Sequence, residues 1–173
     1  MTVIDERIDP LSLERQVCFA LAVTNRAVLA IYRPLLEPLG LTHPQYLVML
    51  ALWDHHRSGR NGQPLSVKEI ASSLQLDSAT LSPMLKRLEA TGLITRTRSA
   101  ADERAMDVAL TKSGTQLRRR ALKIPPAVVE RLGVGLDELE HLHTVLTRIN
   151  SAALAAGVME GGCAREEQKG IHT

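Results

Sequence analysis

The 173-residue chain is nearly empty of aromatic rings: Phe19, Tyr32, Tyr46 and Trp53 are all it has. Any core outside residues 19–53 must therefore be aliphatic, and the aromatic mass surrounds one short segment that also holds Cys18. Cysteine is as scarce. Cys18 and Cys163 lie far apart in the sequence and do not make a disulfide framework, so a cytoplasmic, reducing compartment is the expected setting. No apolar run approaches the roughly 20 residues that a membrane span needs, so no membrane partner is expected. The start MTVIDERIDP is acidic and polar, unlike a secretory signal. A formal net charge of +2 is too small to establish a polyanionic partner, so the argument rests on where the charge sits. The histidines lack metal-ligand spacing: His55 and His56 are adjacent, and His141 and His143 diverge on a helix. With no phosphate loop or nucleophile elbow either, neither metal, cofactor nor enzyme chemistry is expected.

What is present is concentrated between Asp77 and Thr111. Asp77 and Ser78 sit where an N-cap belongs, and Leu81, Leu85, Leu88 and Leu93 give an apolar face at helical spacing. Gly92 ends the helix. Beyond it, Thr95–Arg98 read as an exposed strand, and Met106, Val108 and Leu110 alternate as a second, forming a two-stranded hairpin. Lys86 and Arg87 on the helix, Arg96 and Arg98 on the first strand, and Arg104 at the tip form one basic unit. Such a unit places a helix in a major groove and a hairpin beside the backbone. Ser78, Thr80 and Ser82 suit base edges and phosphates, and Lys86 and Arg87 suit phosphates. The competing reading is a structural winged helix used for protein contacts, since fold does not fix function.

The flanking segments are helical. Residues 12–37 read as one long helix opened by Ser12, with Arg15 and Gln16 in its first turns, and stopped by Pro38 and Gly40. Thr42 caps a second helix running to about His56, residues 57–64 form a loop, and Ser66 with Glu69 is a capping box for VKEIASSL. A short link then gives a helix–turn–helix. Thr111 caps a helix holding Arg118–Arg120, whose basic run is read as a solvated face. Pro125 and Pro126 break or kink that helix, and a last helix spans about Leu136–Ala156 with Leu139, Leu142, Leu146 and Ile149 in a stripe. Residues 1–11 and 157–173 are expected to be flexible. The division is then dimerisation helices at about 12–37 and 112–156 around a winged helix-turn-helix at about 42–111. Apolar stripes on two long outer helices need a second subunit to bury them, and a two-fold dimer suits a palindromic operator.

The strings YRPLLEPLGLT, PQYLVMLALW and DSATLSPMLKRLE, with a cysteine before Phe19, resemble the MarR family of winged-helix repressors, and more narrowly its organic-hydroperoxide-sensing, OhrR-type branch. The resemblance covers the chain to about residue 156. It implies a mainly α dimer with a small β-hairpin wing. It also implies that the reduced protein represses by binding double-stranded DNA at an inverted repeat. Cys18 then corresponds to the redox-sensing cysteine, and Tyr32 to a tyrosine that reaches the thiol from the partner subunit. A second such tyrosine is His43 here, and a third position that is tyrosine in some relatives is Ala22. Asp102 and Arg104 match the wing's Asp-x-Arg pattern, in which arginine enters the minor groove and aspartate orients the loop. No cysteine stands near Val129–Glu130, where self-resolving members carry one.

The plain reading of Cys18 is a small buried hydrophobe. Against it stand the rings and His43 in the same segment: hydrogen-bond donors favour the nucleophilic thiolate, and Phe19, Tyr46 and Trp53 would line an apolar peroxide pocket. The expected resolving partner is a low-molecular-weight thiol, with Cys163 as a lesser candidate. Two alternatives remain: a repressor released by a non-covalent phenolic ligand, with Cys18 only structural, and a stand-alone thiol peroxidase.

Overall fold

The computed structural model describes residues 9, 11–58, 63–100, 102 and 104–157. Cys163 and Glu103 fall outside them. In chain order the elements are α1 (Val17–Leu36), α2 (His43–Arg57), β1 (Leu65–Ser66), α3 (Val67–Leu74), α4 (Ser78–Ala90), β2 (Ile94–Arg98), β3 (Met106–Leu110), α5 (Lys112–Ala121), α6 (Ile124–Leu132) and α7 (Leu136–Ala155). The expected mainly α fold with a β wing is what forms.

Most helix starts are written locally. Gln45 reaches back to the Thr42 N–H (2.9 Å) at the head of α2. Glu69 does the same for Ser66 (2.8 Å), while the Ser66 hydroxyl accepts from Glu69 N–H (3.2 Å). Asp77 accepts from Thr80 N–H (2.6 Å), and Thr111 from Gly114 N–H (3.0 Å). Each bond satisfies a donor that the first helical turn leaves open. Two expectations need correction. Ser12 opens only a 3₁₀ turn, Leu13–Arg15, and makes no side-chain cap; Gln16 is extended, and the helix proper begins at Val17. The wing has three strands, in the order β1-β3-β2, because Leu65 and Ser66 pair antiparallel with Val108 and Asp107. Pro125 and Pro126 kink the chain as expected: α5 ends at Ala121, Leu122 and Lys123 remain in the αR region, and the prolines, without N–H groups for the Ala121 and Leu122 carbonyls, sit in the first turn of α6.

The core sits between α2, α3, α4 and the sheet. Val48, Met49, Ile70, Leu81, Leu85, Leu88, Ile94 and Val108 are all at most 1% exposed. It is aliphatic except for Tyr46 and Trp53, as the scarcity of rings requires. The Trp53 indole donates to the Gly114 carbonyl (2.9 Å), tying α2 to the start of α5. Gly114 is there for space: a Cβ would lie 2.0 Å from the Leu93 carbonyl oxygen.

The two long outer helices stand apart from this core. α7 buries none of its residues, and α1 buries only Leu36. Leu11, Leu13, Val17, Leu21 and Val23 at one end of the chain, and Leu136, Leu142 and Ile149 at the other, are exposed. By length and composition Val17–Leu39 is apolar enough to cross a bilayer, with a mean hydropathy of 1.2. This corrects the expectation drawn from uninterrupted apolar runs. Thr24, Asn25, Arg26 and Arg33 interrupt the segment.

Candidate redox site and nucleic-acid interface

The reading helix α4 turns Leu81, Leu85 and Leu88 into the core and leaves its other faces in water. Ser78, Thr80, Lys86 and Arg87 are exposed and Ser82 is half-buried. At 100° per residue, Ser82 and Lys86 lie on one flank of the outward face, Thr80 and Arg87 on the other. Pro83 lies between them, inside the helix rather than at its edge. It has no N–H for the Ala79 carbonyl, and both residues face solvent, where water can serve that carbonyl.

The wing is fastened to this helix by a contact that sequence spacing did not reveal. Glu89 accepts from the Arg96 guanidinium through Nε (2.9 Å) and Nη2 (2.5 Å), and from the Arg96 backbone N–H (3.2 Å). The hydrogen bonds from Arg96 hold the Glu89 carboxyl below its ordinary range. Arg96 is therefore a clamp between α4 and β2. Its guanidinium, expected from the sequence to face DNA, is paired with Glu89. Arg98 and Arg104 are exposed and make no ion pair with a described residue. At the tip, Asp102 accepts from the Arg104 N–H (2.9 Å) and its carbonyl accepts from the Ala105 N–H (2.9 Å). The aspartate shapes the turn that presents the arginine. At the base, the Thr111 hydroxyl donates to the Gly92 carbonyl (2.7 Å), closing hairpin onto helix end.

The aromatic residues form a row. Tyr32 and His43 meet edge to face with ring centroids 5.0 Å apart, Tyr32 and Tyr46 are 6.0 Å apart, and Tyr46 and Trp53 are 6.4 Å apart. Burial raises the pKa values of Tyr32 and Tyr46, the latter also through the neighbouring Tyr32, so both phenols stay protonated donors at neutral pH. Burial lowers that of His43, which is therefore neutral there. Beyond Tyr46 the row becomes one wall of an open groove of about 180 Å³ between α2 and the α5–α6 corner, lined by Leu50, Trp53, Arg57, Arg118 and Leu122 among others.

Cys18 and Phe19 are not at this row. Cys18 is an exposed free thiol in the first turn of α1. Fourteen residues of helix separate it from Tyr32, about 21 Å at the usual rise. The expectation that one folded segment gathers thiol, rings and imidazole fails within a single protomer. Phe19 likewise shares no wall with Tyr46 and Trp53. Among the described residues no cluster of metal-ligating side chains occurs.

A profile of the SarA/Rot transcriptional regulators matches residues 30–120. The chain is 40% identical over 142 residues to the organic hydroperoxide resistance transcriptional regulator of Bacillus subtilis, spanning 82% of this chain and 92% of that one. It is 46% identical over 132 residues to the HTH-type transcriptional regulator TtmR of Methylorubrum extorquens, covering 76% of this chain and 64% of TtmR. Among solved structures it resembles reduced AbfR bound to DNA, with a TM-score of 0.64 and 31% identity over 81% of this chain and 92% of that one. These relatives are regulators rather than enzymes. The chain shares the fold of these structures and belongs to the MarR family of winged-helix, DNA-binding transcriptional regulators.

Proposed function

We propose that this protein is a homodimeric repressor that holds an inverted-repeat operator while Cys18 is reduced and releases it when an organic hydroperoxide oxidises that thiol. The observation that carries the reading is the separation of the sensor's halves. An exposed thiol stands at the uncovered end of α1, and two protonated phenols with a neutral imidazole stand about 21 Å along the same chain. A two-fold arrangement in which the α1 helices run antiparallel brings the thiol of each subunit to Tyr32 and His43 of the other. The relative of Bacillus subtilis, named for organic hydroperoxide resistance, supports the same chemistry.

The Cys18 thiolate attacks the distal peroxide oxygen and the O–O bond breaks. The alkoxide takes a proton and leaves as the alcohol, and the sulfur becomes a sulfenic acid. A low-molecular-weight thiol then condenses with it, forming an S–S bond and releasing water. The bulk so introduced lies between helices of two subunits. It displaces reading heads whose spacing must match half-sites about 34 Å apart. Ser78, Thr80, Ser82, Lys86, Arg87, Arg98 and Arg104 are the DNA-facing residues in this account.

Gel-shift titration with cumene hydroperoxide tests it. Wild type should lose its operator on oxidation and regain it with dithiothreitol, and Cys18→Ser should bind and ignore peroxide. Oxidised wild type that retains the operator would sink the switch. Release unaffected by reductant and also shown by Cys18→Ser would instead favour a non-covalent phenolic effector.

A further inference from the structure

The chain passes between the outer helices and the reading head twice. It leaves α1 through the 3₁₀ turn Glu37–Leu39 and Gly40 to begin α2, and it leaves α5 through Leu122 and Lys123 to begin α6. On the outer side, α1 packs against α6. On the inner side, α2 packs against α3, α4 and α5, and α5 against the wing strand β3. Gly40 bends the first crossing with a left-handed φ of 69°, and a Cβ there would meet nothing within 4 Å. Each crossing is a single thread of chain, so the angle between head and outer helices depends on what holds the two threads.

One side chain joins them directly. The Arg120 guanidinium donates through Nη2 to the Pro38 carbonyl (2.6 Å), across 82 positions of sequence. That carbonyl lies at the negative end of α1 and its 3₁₀ extension, where the Glu37 and Leu36 carbonyls already accept from the Gly40 N–H (2.9 Å) and the Leu41 N–H (3.3 Å). A helix end leaves such carbonyls open, and a cation completes one with a charge-assisted bond. The other end of α5 is tied as well. The Thr111 hydroxyl donates to the Gly92 carbonyl (2.7 Å), and the Gly114 carbonyl accepts from the Trp53 indole (2.9 Å). α5 is thus a short rod held to the wing at one end and to the α1–α2 crossing at the other.

We propose that Arg120 is a positioning residue for DNA reading: it locks the two crossings together and so fixes the distance and angle at which the heads of a dimer meet their half-sites. Its effect is on geometry and not on contacts to bases or phosphates. One base pair added between half-sites shifts a head's target by about 3.4 Å and turns it by about 35°. A locked joint therefore demands one spacing, and a loosened joint tolerates several. The neighbouring Arg119 is also exposed and has no described partner, so it carries the same charge without the tie. The inference rests on the two-fold dimer and not on the thiol chemistry.

The test is anisotropy titration of full-length protein kept reduced with dithiothreitol. The probes are the inverted repeat that wild type selects from random duplexes, and the same duplex with one or two base pairs inserted at its dyad. Relative to the parental duplex, wild type should lose roughly tenfold or more in affinity on the altered ones, and Arg120→Met roughly threefold or less. Arg120→Met should stay dimeric on gel filtration and melt within about 4 °C of wild type, because one exposed hydrogen bond adds little to stability. Arg120→Lys, which keeps a charged donor, should lie between the two, and Arg119→Met should be as strict as wild type. Arg120→Met as strict as wild type, or Arg119→Met as tolerant as Arg120→Met, would overturn the proposal. A monomeric wild type would sink the dimeric reading and the proposal with it, whereas a dimer that ignores peroxide would sink the sensor and leave the tie standing.

Discussion

The reading head and the proposed sensor differ in completeness. Every device that shapes α4 and its wing closes within one chain: the Asp77 cap, the Glu89–Arg96 clamp, the Asp102 turn and the Thr111 tie. The sensor is open. Its thiol is exposed at one end of α1, its rings lie at the other, and the stripes of α1 and α7 cover nothing. Under the proposed function, DNA reading is a property of the protomer fold and control a property of the pair. A signal that acts between chains can move two rigid heads without disturbing either.

The largest expected effect separates these regions by how stability depends on concentration. Leu85 is 1% exposed in the reading helix, and Leu85→Ala should cost about 2–5 kcal/mol in denaturant unfolding. Leu142→Asp on α7, where nothing is buried, should leave the helical signal intact and shift the dimer toward monomer on gel filtration. Equal global destabilisation by both would erase the distinction. Next in size, Arg104→Ala should weaken operator binding and lower the slope of log K against log salt by about 1 if the guanidinium contacts phosphate. An unchanged slope with relaxed sequence preference would instead assign it to base or groove-width reading.

The smallest effect is a pH dependence. Glu89 has a folded pKa below its unfolded value, so the stability it lends is fully present above the unfolded value and fades as pH falls through the folded one. Glu89→Gln should remove that acid-side dependence, measured as thermal midpoint against pH, and should loosen the wing. Curves that stay parallel would deny the clamp.

Local chemistry was legible in the sequence and distant chemistry was not. Thr42, Ser66, Asp77 and Thr111 announce helix starts because a cap's partner lies within three residues. Ser12 has the same side chain but no bond to make, so the helix start was misplaced. β1 is too short for alternation to show, and Glu89 meets Arg96 across a turn whose geometry spacing does not encode. Cys18, Tyr32 and His43 looked close because they share a segment. A helix rising about 1.5 Å per residue carries them apart.

The claim that sensing is shared between chains is tested most directly by mixing two defective proteins. Cys18→Ser and Tyr32→Phe homodimers should each respond poorly to cumene hydroperoxide in operator-binding anisotropy. Mixed dimers hold one intact pair if thiol and phenol come from different chains, and they should regain about half the peroxide-driven release. Mixed dimers as unresponsive as their parents would place the whole sensor in one chain and contradict the account.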